Sequence, residues 1–406
     1  MNPLAVQVPA ALAAVLCATG VAQTLAGLIY VRRFARDAPA AGASLPPITV
    51  LKPLYNGEPL LTEALETFFR QDYPSLQLVF GVQRADDPAI PIVRALQARY
   101  EHIDAVLIVD PTPHGKNRKI ANLINMFPAA RHDLLVVSDS DMHVAPDYLR
   151  RVAAAFAAQG VGLVTSLYVG KPATRGITPW LGAAYINQIF AAGAVVARAL
   201  GRQDCLGATM AFSRATLCRI GGFAALSPYV ADDGVLGRMV VASGQTIALA
   251  ATVPATTVAD EGLAALFRHE LRWSRTIRAM APAIFPASLV QYPVFWALLA
   301  ASLAPAWRWP FALLALAVAV RALCGRLIER ALGAAPTPLW LAPLRDVFSV
   351  AVMAAAYAGE KVAWHDQVLS TQADRTLVRG EGAFAARPPV RARILTRADG
   401  LAHGER

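Results

Sequence analysis

Residues 1–30 contain no charged side chain. An apolar run of this length crosses a ~30 Å hydrocarbon core as a helix. Inside hydrocarbon the backbone has few alternatives, because each N–H and C=O must find an internal partner. The chain is therefore expected to begin in a membrane. A cleaved signal peptide is the rival reading, but there is no basic leading region and the run is too long for one. Arg32, Arg33 and Arg36 follow, opposed only by Asp37. By the positive-inside rule the domain after them lies on the cytoplasmic side of a bacterial-type inner membrane.

Other stretches extend the membrane reading. The chain of 406 residues is 56% hydrophobic, above the 45–50% typical of soluble domains. Residues 279–307 carry no charge and are expected to span. Residues 309–327 return, with Arg321 inside the segment. A third apolar segment, 339–359, is interrupted by Arg345-Asp346, which reads either as a membrane-buried ion pair or as the mark of a re-entrant piece. Residues 176–197 are also uncharged, but a crossing there would put Asp233 and Arg272 on the opposite side of the membrane from Asp139. An interfacial helix is expected instead, with Trp180 and Tyr185 at headgroup level. The end of the chain, with Arg375, Arg379, Arg387, Arg391, Arg393 and Arg397, reads as a basic, partly disordered cytoplasmic tail. Its charge argues against an odd number of C-terminal crossings. The resulting organisation is an anchor at 1–30, a basic linker at 31–46, a globular domain at 47–278, membrane segments at 279–363 and a tail at 364–406.

The net charge of +10 comes almost wholly from arginine, with only five lysines. The basic residues cluster beside apolar segments without interleaved aromatics, which fits an anionic membrane surface and not nucleic acid. Cys17, Cys205, Cys218 and Cys324 are scattered without zinc-ligand spacing and read as core filler.

Between residues 48 and 160 the pattern alternates. Strands are expected at 48–54, 78–82, 105–109 and 134–138, with helices at 58–71, 90–100 and 119–126. Such alternation implies parallel βαβ units and an α/β fold. No GxGxxG follows the first strand and there is no P-loop, so dinucleotide and Walker-type sites are not expected.

The fourth strand, Leu134-Leu135-Val136-Val137-Ser138, ends in Asp139-Ser140-Asp141. Two carboxylates at a strand end are costly to bury. A hard cation, Mg²⁺ or Mn²⁺, relieves that cost by taking one or two carboxylates together with substrate phosphates. Neither aspartate has a basic partner nearby in sequence. An Asp-rich turn before a helix is the plainer alternative. Asp86-Asp87-Pro88 and Asp232-Asp233-Gly234 each read alone as a turn or helix cap. His269-Glu270-Leu271-Arg272-Trp273 lies on an arginine-rich helix, where an amphipathic membrane-surface helix is the alternative. Lys119 and Asn122 are candidate phosphate donors, or else helix-surface residues.

In combination these stations are specific. The order Asp87, Asp139-Ser140-Asp141, Asp233, Arg272-Trp273 between membrane segments resembles the ceramide glucosyltransferase-like glycosyltransferases (family 21, family 2-like). This GT-A group is related to cellulose and hyaluronan synthases and includes bacterial enzymes that glycosylate hopanoids. Leu51-Lys52-Pro53-Leu54, Glu66-Thr67-Phe68-Phe69, Asp72-Tyr73-Pro74, Val82-Gln83 and Asn117-Arg118-Lys119-Ile120-Ala121-Asn122-Leu123 carry the resemblance further, over about 48–280. It implies a GT-A domain held by an N-terminal transmembrane helix and C-terminal membrane helices. It also implies that Asp87, with Asp86 beside it, contacts the uridine of a UDP-sugar, and that Asp139 and Asp141 hold the metal on the diphosphate. Asp233 would be the general base, and Arg272-Trp273 would bind diphosphate and shape the acceptor site. The family pattern has Gln or Arg three residues before Arg-Trp. Here that position is His269, a hydrogen-bond donor whose charge depends on pH.

The chemistry is coherent in its own right. A leaving diphosphate needs positive charge, and the acceptor hydroxyl needs one base. One base without a second nucleophilic carboxylate implies a single displacement and inversion. The expected activity is transfer of one sugar, from UDP-glucose or UDP-N-acetylglucosamine, to ceramide or a hopanoid polyol. Two other classes are kept open: a processive polysaccharide synthase, for which the C-terminal segments look too few, and a non-catalytic membrane component.

Overall fold

The computed structural model describes residues 3–37, 44–364 and 367–378. Helix α1 (Pro3–Phe34) is 32 residues long. At ~1.5 Å per residue it exceeds a bilayer core. Val8, Leu12, Val15, Leu25 and Ile29 are exposed along it, as an element solvated by lipid requires. Arg32 and Arg33 lie in its last turn. The basic segment expected as linker from residue 31 is therefore helical through Phe34, because nothing before that point breaks the helix.

The alternating pattern produces β1 (Ile48–Pro53), α2 (Leu61–Phe69), β2 (Leu76–Val82), α3 (Ala89–Arg99), β3 (Asp104–Val109), α4 (Arg118–Met126) and β4 (Leu134–Ser138). These four strands pair in parallel, in the order β3-β2-β1-β4. Both faces of the sheet are covered. Val50, Phe68, Phe80 and Tyr148 build one core, while Leu51, Val79, Leu123 and Phe212 build the other. That double burial explains why the strands read as continuous apolar runs.

The chain continues through β5 (Met142–His143), α5 (Tyr148–Phe156), β6 (Val161–Ser166), β7 (Val169–Pro172), α6 (Ile177–Ala184), a π-helical turn at Tyr185–Phe190 and α7 (Ala191–Ala199). Then follow β8 (Thr209–Ser213), α8 (Arg214–Arg219), α9 (Asp232–Ala242), β9 (Thr246–Ala250), β10 (Ala255–Val258) and α10 (Leu263–Met280). Strand β8 runs antiparallel beside β4 and continues the main sheet through β6 to β9. A small sheet, β5-β10-β7, forms where β4 ends. Strand order reverses at β1/β4, with β2 and β3 on one side and β8 on the other, and ligands favour the crevice outside such a switch point.

Beyond α10 lie α11 (Ile284–Ala287), α12 (Pro293–Leu303), α13 (Trp309–Leu332), α14 (Leu341–Ala355), a hairpin of β11 (Lys361–Trp364) and β12 (Gln367–Ser370), and α15 (Gln372–Val378). Among the described residues four helices are long and apolar enough to cross a membrane: Gln7–Phe34, Ile177–Ala199, Trp309–Leu332 and Leu341–Ala358. A bent pair, Ile284–Gln291 and Pro293–Leu303, turns through 77° and would make a fifth. Small residues set the closest approaches. A Cβ at Gly20 would stand 2.3 Å from the Val290 carbonyl, and one at Gly27 would stand 2.9 Å from the Ala192 Cβ. The 177–199 segment qualifies for a crossing by length and composition, yet 61% of its apolar window is buried against the rest of the protein.

Arg345 and Asp346 do not pair with each other. Adjacent helical residues point about 100° apart. Arg345 makes a bidentate pair with Glu270 of α10, 2.7 Å at both contacts. Asp346 pairs with Arg321 of α13 at 3.1 Å. Within the partly disordered tail expected at 364–406, residues 367–378 form β12 and α15, and β11 (Lys361–Trp364) precedes them. Arg379, Arg387, Arg391, Arg393 and Arg397 lie outside the described residues. Cys17, Cys205 and Cys324 are buried, whereas Cys218 is exposed, so core filling does not account for it.

Candidate active site

A cavity of about 760 Å³ opens at the switch point. Pro53 and Leu54 at the end of β1 and Asp139 at the end of β4 form part of its wall. Lys119 and Asn122 from α4, Asp232 and Asp233 from α9, and His269, Arg272 and Trp273 from α10 also line it, together with Asp141. Eight of the ten candidate residues thus share one cavity. Asp86 and Asp87 are not in its lining. Asp86 is an exposed partner of Arg84 at 2.8 Å. Asp87 is 2% exposed. Its carboxylate accepts the Asn56 N–H at 3.1 Å and the Ala89 N–H at 2.9 Å. It caps α3 and pins the loop after β1 that carries Tyr55 and Glu58, both in the cavity wall.

Lys119 supplies what the local sequence around Asp139 lacks. Its Nζ lies 2.7 Å from Asp139 Oδ1 and 3.6 Å from Asp232 Oδ2. Burial works against its charge, but Asp139, Asp232 and Asp233 outweigh it and hold its pKa above the ordinary value. Asn122 donates to the Gly81 carbonyl at 2.7 Å, and its buried Oδ1 has no hydrogen-bond partner. Asn117 caps α4 by accepting the Ile120 N–H, and donates to the Tyr229 carbonyl at 2.9 Å.

Two residues of the acidic centre carry no recognisable spacing signal. Glu58 accepts a hydrogen bond from Ser140, and burial followed by the Asp141 charge pushes its pKa up to about 7. Lys52 is fully buried under the strand end, its Nζ 4.0 Å from the Phe68 ring centre. It donates to the Asp139 carbonyl, and burial lowers its pKa to about 7 against the pull of Asp141 and Asp139. Asp141 accepts from Thr256 of β10, and its pKa is raised by burial and then by Asp139.

These acids press on one another, and a divalent cation would relieve that repulsion. Among the described residues no three His, Cys, Asp or Glu side chains could by themselves hold a metal ion. Two carboxylates completed by diphosphate oxygens remain a fitting donor set for Mg²⁺ or Mn²⁺.

Asp233 is less buried than Asp232. It accepts the Gly234 N–H at 2.7 Å, and burial, then the Asp232 charge, raises its pKa to about 6. Gly207 packs over its carboxylate, where a Cβ would come within 2.7 Å of Oδ2. Arg272 lies in the field of Asp139, Asp232 and Asp233, though burial still lowers its pKa. His269 Nδ1 is 3.2 Å from Asp260, and its ring lies 4.3 Å from that of Trp273. Trp273 stacks on Tyr185 at 6.1 Å, and the Arg345 guanidinium lies 5.4 Å from the Tyr185 ring. Gly182, Ile186, Val258 and Leu266 add apolar surface to the lining, and Gly182 packs against Val258 and Leu266.

The family model for glycosyl transferase family 21 matches residues 12–377. Ceramide glucosyltransferase 1 of Caenorhabditis elegans is 25% identical over 240 residues, covering 59% of this chain and 51% of that protein. The ceramide glucosyltransferase of Candida albicans is 33% identical over 115 residues, covering 25% of this chain and 21% of that protein. The chain thus spans about half the length, or less, of these relatives. Among solved structures, the mannosyltransferase PcManGT from Pyrobaculum calidifontis, in complex with GDP-Man and Mn²⁺, superposes with a TM-score of 0.54 at 20% identity. The match covers 88% of this chain and all of that one, and it shows a shared GT-A-like fold.

Proposed function

This chain belongs to glycosyltransferase family 21, and from that premise we propose that it is a membrane-bound, inverting transferase moving one hexose from a UDP-sugar to the hydroxyl of a lipid. The observation that carries the reading is the meeting of Asp139, Asp141, Lys119, Arg272 and Asp233 in one cavity whose lining also includes the apolar Ile186, Val258 and Leu266. The cationic side chains neutralise the departing diphosphate. Asp139 and Asp141 would hold a divalent cation with the diphosphate oxygens, and the cation would supply further charge neutralisation to the leaving group. Asp233 takes the acceptor proton as the acceptor oxygen attacks the anomeric carbon. The bond from that carbon to the diphosphate oxygen breaks, UDP leaves, and the configuration inverts. A base with a pKa raised to about 6 is ionised at neutral pH yet basic enough to accept a proton. Asp87 acts on the uridine end through the loop it pins. His269 and Trp273 set the boundary between donor and acceptor.

The names of the relatives make ceramide one acceptor, and a hopanoid polyol is the alternative. Either enters from an anionic membrane surface, with the catalytic domain on the cytoplasmic side where UDP-sugars are made. The test is to incubate membranes with UDP-glucose or UDP-N-acetylglucosamine and each lipid, then read the product by mass spectrometry and its anomeric configuration by NMR. An inverted glycolipid is expected. A retained configuration, or no transfer with any pair, overturns the reading.

A further inference from the structure

The segment after the last candidate membrane helix returns to the catalytic domain and is fastened to both halves of the cavity. On the α10 side, Arg278 donates to the Gly359 carbonyl at 2.9 Å, Arg275 donates to the Lys361 carbonyl, and the Arg278 guanidinium lies 5.3 Å from the Tyr357 ring. The β11–β12 hairpin then reverses the chain, and α15 packs on α10. On the α9 side, Asp374 Oδ1 accepts the backbone N–H groups of Val230 at 3.2 Å and Ala231 at 3.0 Å. Asp374 is fully buried, and its Oδ2 has no hydrogen-bond partner. Val230 and Ala231 line the cavity and lead directly into Asp232 and Asp233.

A cap made only for stability has little need of this arrangement. Short polar residues next to a helix start do the same locally. Here the carboxylate comes from 144 positions away in sequence, and its ionisation is opposed by burial and, in smaller part, by the charge of Asp232. We propose that residues 359–364 and 367–378 form a clasp that sets the spacing between the Asp232-Asp233 turn and the Arg272-Trp273 helix, with Asp374 as the positioning residue for the catalytic aspartate. The clasp fixes where the base stands relative to the diphosphate-binding arginine. Misplacing a catalytic group by about 1 Å costs roughly 10²-fold in rate.

The inference rests on the reading of Asp233 as base, and the experiment separates the two. In full-length protein, Asp374→Ala is expected to lower kcat by roughly 10–100-fold, with KM for the UDP-sugar within about twofold of wild type. Amide hydrogen exchange at Val230 and Ala231 should become faster. Asp374→Asn keeps an oxygen for both N–H groups, so it should restore slow exchange and most of the turnover. That rescue is one a charge-dependent role would not give. The clasp is overturned if Asp374→Ala keeps wild-type kcat while Asp233→Asn is inactive, or if Asp374→Asn is as slow as the alanine variant with the amides still protected. If the alanine variant does not accumulate, Asp374→Asn is compared with wild type: protected amides with kcat lowered more than roughly tenfold overturn the clasp, and exposed amides with a matching fall in kcat support it. Full activity of Asp233→Asn would instead remove the base assignment itself.

Discussion

Lys119 holds Asp139 at 2.7 Å while reaching toward Asp232 at 3.6 Å. One ammonium thus bridges the two acidic stations of the cavity, the strand end proposed for the metal and the helix start proposed for the base. In the proposed site that contact would set Lys119 in competition with the cation for Asp139, besides its proposed role as a donor to diphosphate.

Two measurements follow for the metal. Chelation should abolish transfer, and added Mn²⁺ or Mg²⁺ should restore it. Asp139→Ala or Asp141→Ala should weaken donor binding as well as turnover. Lys119→Met should behave oppositely toward the cation, lowering the Mn²⁺ concentration needed for half-maximal activity while reducing kcat. A titration of activity against Mn²⁺ reads both effects. Unchanged UDP-sugar binding after chelation would refute the metal assignment.

Asp233→Asn should reduce kcat by about 10²–10⁴-fold, the usual worth of a general base, with UDP-sugar binding retained. Asp232→Asn should lose far less. Because the Asp233 pKa is raised to about 6, the wild-type rate should fall as pH drops through about 6 and the base becomes protonated. The reverse ranking of the two substitutions would move the base to Asp232.

The first half of the domain was legible because its strands are buried on both faces and its helices carry apolar stripes, so 48–138 reads directly as β1 to β4 with their helices. That Asp139, Asp141, Asp233, His269, Arg272 and Trp273 line one cavity was expected from the family resemblance that their order carries, and not from spacing alone. What was not legible depends on contacts between distant segments. Lys119 meets Asp139 only after a βαβ crossover. Glu58 sits in a loop without a motif, and Lys52, though part of a stretch that carries the resemblance, shows no sign in the sequence that its ammonium turns under Asp139. Arg345-Asp346 looked like one pair because sequence shows adjacency and hides the 100° rotation between neighbours on a helix. Asp374 stands at the start of a basic tail, and nothing in the sequence ties it to Val230 and Ala231, about 144 positions earlier.

Gly207→Ala tests the crowding above the base. The new methyl would meet Asp233 Oδ2 at 2.7 Å, and the mobile end of that side chain yields more easily than backbone. Thermal stability should therefore change little, while kcat falls roughly tenfold or more from the displaced carboxylate. Wild-type turnover in this variant would show that Asp233 has room to spare.

Removing one partner of the Glu270–Arg345 pair strands a buried charge. Arg345→Met alone should lower stability by about 3–5 kcal/mol. The double variant Glu270→Met/Arg345→Met should regain most of it, since an apolar pair of similar volume can replace a buried ion pair. Thermal unfolding of the detergent-solubilised protein gives the comparison. Equal losses in the single and double variants would mean that the pair's hydrogen bonds, and not its charges, hold α10 to α14.

Helix α14 also implies an order of assembly. It carries Arg345 and Asp346 side by side in an otherwise apolar stretch, and two lone charges in hydrocarbon cost roughly 2.5–3.5 kcal/mol each on insertion scales. Both partners, Glu270 and Arg321, lie earlier in the chain. On a ribosome they are synthesised first, so α10 and α13 are available to receive α14 as it emerges. The described candidate membrane helix least able to enter a bilayer alone is thus made after its partners, and its integration would report that α10 and α13 are already in place.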